Sequence, residues 1–249
     1  MSRYLMKIKF DGTAYHGWQV QKNAKTVQEQ IQDALESFMK YRPNVTGCSR
    51  TDSGVHAKEY CFHFDCDLKI SEQGFVKAIN TKLPQDIAAF SCKEVSDDFH
   101  SRYSVKSKRY EYYFYDGEVR NPFYSKFSWF VKNKLYEKQL DEKQLDKAAK
   151  QFIGKYDFCG FCSSGSSVSD TVRTVFDAGV KRCGDSVVFY VEADGFLYNM
   201  VRIMAGTLYF VSLDKIKENQ IKDIILSKDR NRAGITAPPN GLFLSKVNY

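Results

Sequence analysis

The chain has 249 residues, 43% hydrophobic and 27% charged, a balance that excludes a disordered or low-complexity protein and leaves room for one large domain or two small ones. Thirty-seven Lys and Arg against thirty Asp and Glu leave a net charge of +7, which is compatible with a polyanionic partner but does not by itself select one. No run reaches the roughly 18 apolar residues of a membrane span, and the start shows no signal-peptide pattern, so a cytoplasmic protein with reduced thiols is expected.

In chain order, Arg3–Phe10 alternates as a strand, and a Gly-rich polar loop follows. Thr26 with Glu29 three residues on reads as the N-cap of an amphipathic helix over Val27–Lys40. A short strand at NVTGCS leads into SRTDSGVHA (Ser49–Ala57). The strand after it places Tyr60, Phe62 and Phe64 on one face and Cys61, His63 and Asp65 on the other. A helix over Ser71–Lys82, a turn at LPQD and a strand over Ile87–Val95 close the first half. The second half opens with a strand over Ser107–Gly117 that aligns Tyr110, Tyr112 and Phe114. A lysine-rich stretch, Lys132–Lys155, reads first as a solvated helix face, and Asp141–Gly154 reads as a helix stopped by its glycine. A flexible serine loop, a hairpin about Cys183–Gly184, an apolar helix over Phe196–Ser212, a helix over Ile221–Lys228 and a final strand complete the chain. These elements predict an α+β fold: two related subdomains, 1–103 and 104–249, with mainly antiparallel sheets flanked by helices and a catalytic cleft between them.

The seven cysteines are odd in number and irregularly spaced, so no disulfide framework is expected. Cys159 and Cys162 form a lone C-x-x-C without two further zinc ligands at matching spacing. The four histidines are scattered, His63 reads as structural, and neither a phosphate loop nor a dinucleotide fingerprint occurs, so neither a metal nor a cofactor is expected. The chemistry concentrates in SRTDSGVHA. A turn aspartate such as Asp52 often only caps backbone amides, but Arg50 lies two residues away and Gly54 permits close approach of a ligand. Arg202 lies within an apolar helix and calls for an anionic partner. An aspartate held by arginine stays ionised and suits nucleophilic attack or proton abstraction.

SRTDSGVHA resembles the catalytic motif of the TruA-type tRNA pseudouridine synthases, in which R-T-D-A-G-V-H is usual. FDGTAYHGWQVQ, INTKLPQDI, FHSRYSVKSKRYEYYFY, FLYNMVRIMAGTL and TAPPNGLFL resemble further blocks of that family, in order; Ser53, Ser101 and Pro239 are mild departures. The resemblance implies the pseudouridine synthase fold, conversion of uridine to pseudouridine at positions 38, 39 or 40 of the tRNA anticodon stem-loop, no cofactor, and a homodimer. It implies that Asp52 is the catalytic carboxylate, that Arg202 pairs with it, and that Tyr110 stacks on the target uracil. It further implies substrate contacts from Arg50 and Leu244. Lys106, Lys108, Arg109, Arg173, Arg230 and Arg232 lie near these blocks and are candidates for RNA phosphates. Whether Asp52 attacks the ribose or removes a ribose proton stays open. The rival expectations are a tRNA-binding chaperone without chemistry and a metal-dependent hydrolase using Asp52 and His56.

Overall fold

The structure, a computed structural model, describes residues 1–131, 140–165 and 168–249. Its strands and helices are β1 (Ser2–Phe10), α1 (Val27–Met39), β2 (Thr46–Gly47), β3 (His56–Cys66), α2 (Glu72–Asn80), β4 (Ile87–Val95), β5 (Ser107–Tyr115) and β6 (Trp129–Phe130). There follow α3 (Glu142–Lys150), β7 (Gly154–Asp157), β8 (Val172–Cys183), β9 (Ser186–Ala193), α4 (Met200–Ser212), α5 (Ile221–Ser227) and β10 (Leu242–Asn248). Residues 132–139, the front of the lysine-rich stretch, and 166–167 of the serine loop lie outside the described residues. No helix among the described residues is long and apolar enough to cross a membrane.

Two compact units form, Met1–Lys106 with Phe243–Tyr249, and Ser107–Leu242. The boundary falls a few residues beyond the expected 103/104, and the last seven residues return to the first unit. The return is a matter of strand pairing: β10 runs parallel to β3, with Phe243 opposite His56 and Leu244 opposite Ala57. Both units mix antiparallel sheet with helices, which is the expected α+β class.

In the first unit β1 pairs antiparallel with both β3 and β4. The central strand β3 is buried on both faces, so its alternation of aromatics with Cys61 and His63 separates two packed sides rather than core from solvent. Helix α1 starts where its sequence predicts: the Thr26 hydroxyl accepts the Glu29 amide proton. Val27, Ile31 and Leu35 are fully buried, and such side chains contribute about 1.5–3 kcal/mol each. Helix α2 packs against β4, behind Phe75 and Ile79.

In the second unit the antiparallel order is β5-β9-β8-β7, with the short β6 beside β5. Tyr110, Tyr112 and Phe114 share a buried face, as the alternation predicts. Two boundaries differ from expectation. Helix α3 ends at Lys150, not at Gly154; Asp141 caps its start by accepting the Lys143 and Gln144 amides. Phe152 turns into the core, and Gly154, at φ +131°, opens β7 against β8. Helix α4 begins at Met200, because Asn199 takes the left-handed conformation at φ 60° and breaks the helix before it can include Phe196–Tyr198.

Candidate active site

In the first unit the SRTDSGVHA segment links β2 to β3 and lies on the N-terminal loop that follows β1. Trp18 donates its amide to the Thr51 carbonyl at 3.3 Å, and Gly54 donates to the Tyr15 carbonyl at 3.1 Å. The Ser53 hydroxyl donates to the same Tyr15 carbonyl at 3.3 Å. Within the segment, Val55 N–H donates to the Asp52 carbonyl at 3.2 Å, and Gly54 sits at φ +76°. This is the tight turn that its glycine permits. The approach of the two segments is close: a Cβ on Gly12 would come to 2.0 Å from the Val55 carbonyl oxygen, and one on Gly17 to 2.2 Å from that of Thr51.

Below this turn the indole of Trp18 stacks on Tyr60 of β3 at 4.1 Å between centroids, and the Tyr60 hydroxyl donates to the Ser49 carbonyl. Gly47 precedes the turn where any side chain would meet both rings. Tyr15 is buried and donates its hydroxyl to the Asp86 carboxylate; burial, then that hydrogen bond, pushes its phenol well above the usual range. The FDGTAYHGW, SRTDSGVHA and LPQDI segments, distant in sequence, thus form one hydrogen-bonded assembly. Asp52 is half-buried in it and Arg50 is exposed.

His56 is fully buried and stacks on Phe243 at 4.6 Å. Its Nδ1 accepts the Gly12 amide proton at 3.0 Å, while an Asp11 carboxylate oxygen lies 3.1 Å from the same nitrogen. The amide calls for an acceptor at that nitrogen and the carboxylate for a donor, and both contacts tie the ring to the loop after β1. This is a structural histidine. His63 is another: Nδ1 accepts the Ser101 amide at 3.1 Å, and burial pulls its pKa down to about 4. Ser101, where the resembling block carries alanine, is itself buried there. Among the described residues no group of three or more His, Cys, Asp or Glu could hold a metal ion. All seven cysteines are free, and Cys159 and Cys162 flank a single short turn.

In the second unit Arg202 lies in the first turn of the apolar helix α4, as expected, and is half-buried rather than fully buried. Met200, Val201, Met204 and Leu208 around it are buried. Its Nε donates to the Ala237 carbonyl at 2.7 Å and its Nη1 to Asn199 Oδ1 at 2.7 Å. The segment carrying Ala237 can reach α4 because two glycines meet there: a Cβ on Gly206 would lie 1.8 Å from the Ile235 carbonyl oxygen, and one on Gly234 would lie 2.3 Å from that of Gly206. Tyr110 is 7% exposed in β5, with Phe196 edge-on at 5.0 Å. Leu244, which belongs to the first unit, is fully buried in β10.

The candidate RNA cations fall into two kinds. Lys106 and Arg232 are exposed, and Lys108 is half-buried. Arg109 is engaged on the sheet surface: it pairs with Asp177 at 2.9 Å and Glu192 at 3.5 Å and lies 4.2 Å over the Tyr190 ring. Arg173 donates to the Asp170 carbonyl at 3.0 Å. Arg230 donates to the Gly234 carbonyl at 2.8 Å and Thr236 Oγ1 at 3.3 Å, and burial lowers its pKa.

A family model described as tRNA pseudouridine synthase matches residues 6–104 and 148–249. Arg50, Asp52, Arg202 and Leu244 fall inside those stretches; Tyr110 falls between them. A tRNA pseudouridine synthase A from Thermoanaerobacter sp. (strain X514) is 45% identical over 249 residues, covering the whole of both chains. The protein of that name from Ruminiclostridium cellulolyticum is 44% identical over 250 residues, again covering both chains entirely. The tRNA pseudouridine synthase A 2 of Clostridium perfringens is 41% identical over 249 residues with the same coverage. A crystal structure of a Cbf5-Nop10-Gar1 complex overlaps 96% of this chain and 57% of its own at TM-score 0.37 and 12% identity, too slight a likeness to add weight. A match along most of the chain, with full-length identity above 40%, places it where its motifs pointed: the chain belongs to the tRNA pseudouridine synthase family.

Proposed function

We propose that the protein isomerises uridine to pseudouridine in the anticodon stem-loop of tRNA, at position 38, 39 or 40, with Asp52 as the catalytic carboxylate. The reaction breaks the bond between ribose carbon 1′ and the uracil nitrogen, turns the base, and joins carbon 1′ to uracil carbon 5. The carbon-5 hydrogen leaves as a proton and the freed nitrogen takes one up, so no electron donor or group carrier enters the balance.

The observation that carries this reading is the mounting of the Asp52 turn. Its backbone is held by Tyr15, Trp18 and the two close-packed glycines, while the side chain is half-buried rather than sealed away. A reacting carboxylate needs this combination of a fixed origin and access. Arg202 supplies the guanidinium that keeps the carboxylate ionised, and Tyr110 the ring against the uracil. Extruding a stacked nucleotide costs a few kcal/mol, and stacking on an aromatic returns about 1–3 kcal/mol. Arg50, exposed beside Asp52, is suited to hold the extruded nucleotide, and the buried Leu244 shapes the site from within β10. The reading extends to a cytoplasmic protein, from the sequence pattern of its start, and to a homodimer, which rests on the family resemblance alone; sedimentation at working concentration tests the dimer.

The test is Asp52→Asn assayed with tRNA labelled by tritium at uridine carbon 5. Tritium release is expected to vanish while tRNA binding stays within a few-fold of the parent. Turnover retained by that variant would overturn the assignment. A non-catalytic tRNA-binding role has no support among the relatives, which carry synthase names.

A further inference from the structure

We infer that Asn199 is a positioning residue for the reaction: its side-chain amide, braced by Ser163, aims the Arg202 guanidinium. The inference rests on the role given to Arg202 under the proposed function.

Asn199 stands at the N-cap of α4, where an asparagine ordinarily accepts a hydrogen bond from the first turn. It makes no such bond. At φ 60° and ψ 8° its side chain is turned away from that duty, and both ends of the amide are used elsewhere. Nδ2 donates to Ser163 Oγ at 3.0 Å, and Oδ1 accepts from Arg202 Nη1 at 2.7 Å. The chemistry sets the orientation: a guanidinium only donates, so the oxygen must face it and the amide nitrogen must find an acceptor behind. Ser163 is that acceptor, and it is tied in turn to the neighbour of Asn199, donating its amide to the Tyr198 carbonyl at 3.1 Å.

The second hold on the guanidinium is the Ala237 carbonyl at Nε, and Ala237 N–H donates back to the Arg202 carbonyl at 3.1 Å. These two acceptors meet the planar group at different edges, which constrains the direction of its plane. The Ala237 oxygen belongs to the backbone; the other acceptor is the Asn199 side chain. A neutral amide holds the arginine without spending its charge, whereas a carboxylate there would form an ion pair and compete with the catalytic one. Asparagine is also among the few residues that take the left-handed conformation readily.

Asn199→Gly tests this, because glycine keeps the backbone conformation and removes only the side chain. In steady-state turnover of tRNA, kcat is expected to fall about 10- to 100-fold with KM within twofold and an unchanged melting temperature. Ser163→Ala is expected to lose less, in the same direction. Slackened aim weakens the arginine's hold on the carboxylate, so the acid limb of the kcat–pH profile should move to higher pH. Wild-type kcat with an unmoved acid limb in Asn199→Gly overturns the inference, as does a rate loss matched by loss of folded protein. If Asp52→Asn is inactive while Asn199→Gly is unchanged, only this inference falls; if Asp52→Asn turns over, the proposed function falls first.

Discussion

The Thr51 carbonyl oxygen occupies the place a side chain on Gly17 would need: a Cβ there would come to 2.2 Å from it, with the Asp52 carbonyl carbon 3.2 Å away. Gly17 also stands at φ +84° and accepts the amide of Val27, the first residue of α1. One backbone position therefore supports the Asp52 turn on one side and the start of a helix on the other.

Gly17→Ala is accordingly expected to lower stability by about 2–4 kcal/mol, from left-handed strain and displaced backbone together, and to reduce the rate of pseudouridine formation at least tenfold. Gly184→Ala is the matched control. It too replaces a left-handed glycine, at φ +58° in the β8–β9 turn, but a Cβ there meets nothing within 4 Å. It should cost about 1 kcal/mol and leave the rate unchanged. Chemical denaturation and single-turnover kinetics on both variants decide the matter; equal effects would show that the close approach to Thr51 is unimportant.

His63 makes a prediction about pH. Burial, with Arg3 and His100 adding repulsion, holds its pKa at about 4 against 6.5 for the free side chain. The folded state thus prefers the neutral ring, and the unfolded chain takes up the proton first as pH falls. The contribution of this group is complete above about pH 6.5 and is lost progressively on the way down to about pH 4. A shift of this size bounds the effect near ~3 kcal/mol; screening brings the expected loss to about 1–2 kcal/mol. His63→Asn retains an acceptor for the Ser101 amide and does not titrate. Its melting temperature should fall less steeply than that of the parent between pH 6.5 and 4.5, and parallel slopes would refute the argument.

Much of this was legible in short-range pattern. Helix α1 declares itself through Thr26 and the spacing of Val27, Ile31 and Leu35, and β3 through its alternating aromatics; both are local signals that tertiary structure reinforces. The failures share a cause. Gly154 reads as a helix stop because glycine punctuates helix ends and strand starts alike, and the pairing of β7 with β8 that decides the case is non-local. The start of α4 is set by the conformation of Asn199, which hydropathy does not record. Asp52 could be singled out from its motif, but nothing in that motif says that Gly12 and Gly17 press against it. Asn199 falls inside the helix expected over Phe196–Ser212, where a lone polar residue among apolar neighbours carries no local signal of a role.

The cations carry the last prediction. Charge and position in sequence made Lys106, Arg109 and Arg232 equivalent candidates for tRNA phosphates, but their surroundings differ. Lys106 and Arg232 are exposed, so contact with a phosphate would release a counterion from the RNA. Arg109 already faces Asp177 and Glu192 across a sheet surface and lies over Tyr190. Drawing it to a phosphate would break both ion pairs. Replacing Lys106 or Arg232 with alanine should weaken tRNA binding and reduce the slope of log affinity against log salt by about one. Arg109→Ala should leave that slope within experimental error and lower the melting temperature by a few degrees, through the lost pairs and ring contact. Binding measured across a series of potassium chloride concentrations separates the two classes, and a full unit of slope lost in Arg109→Ala would put that arginine on the RNA instead.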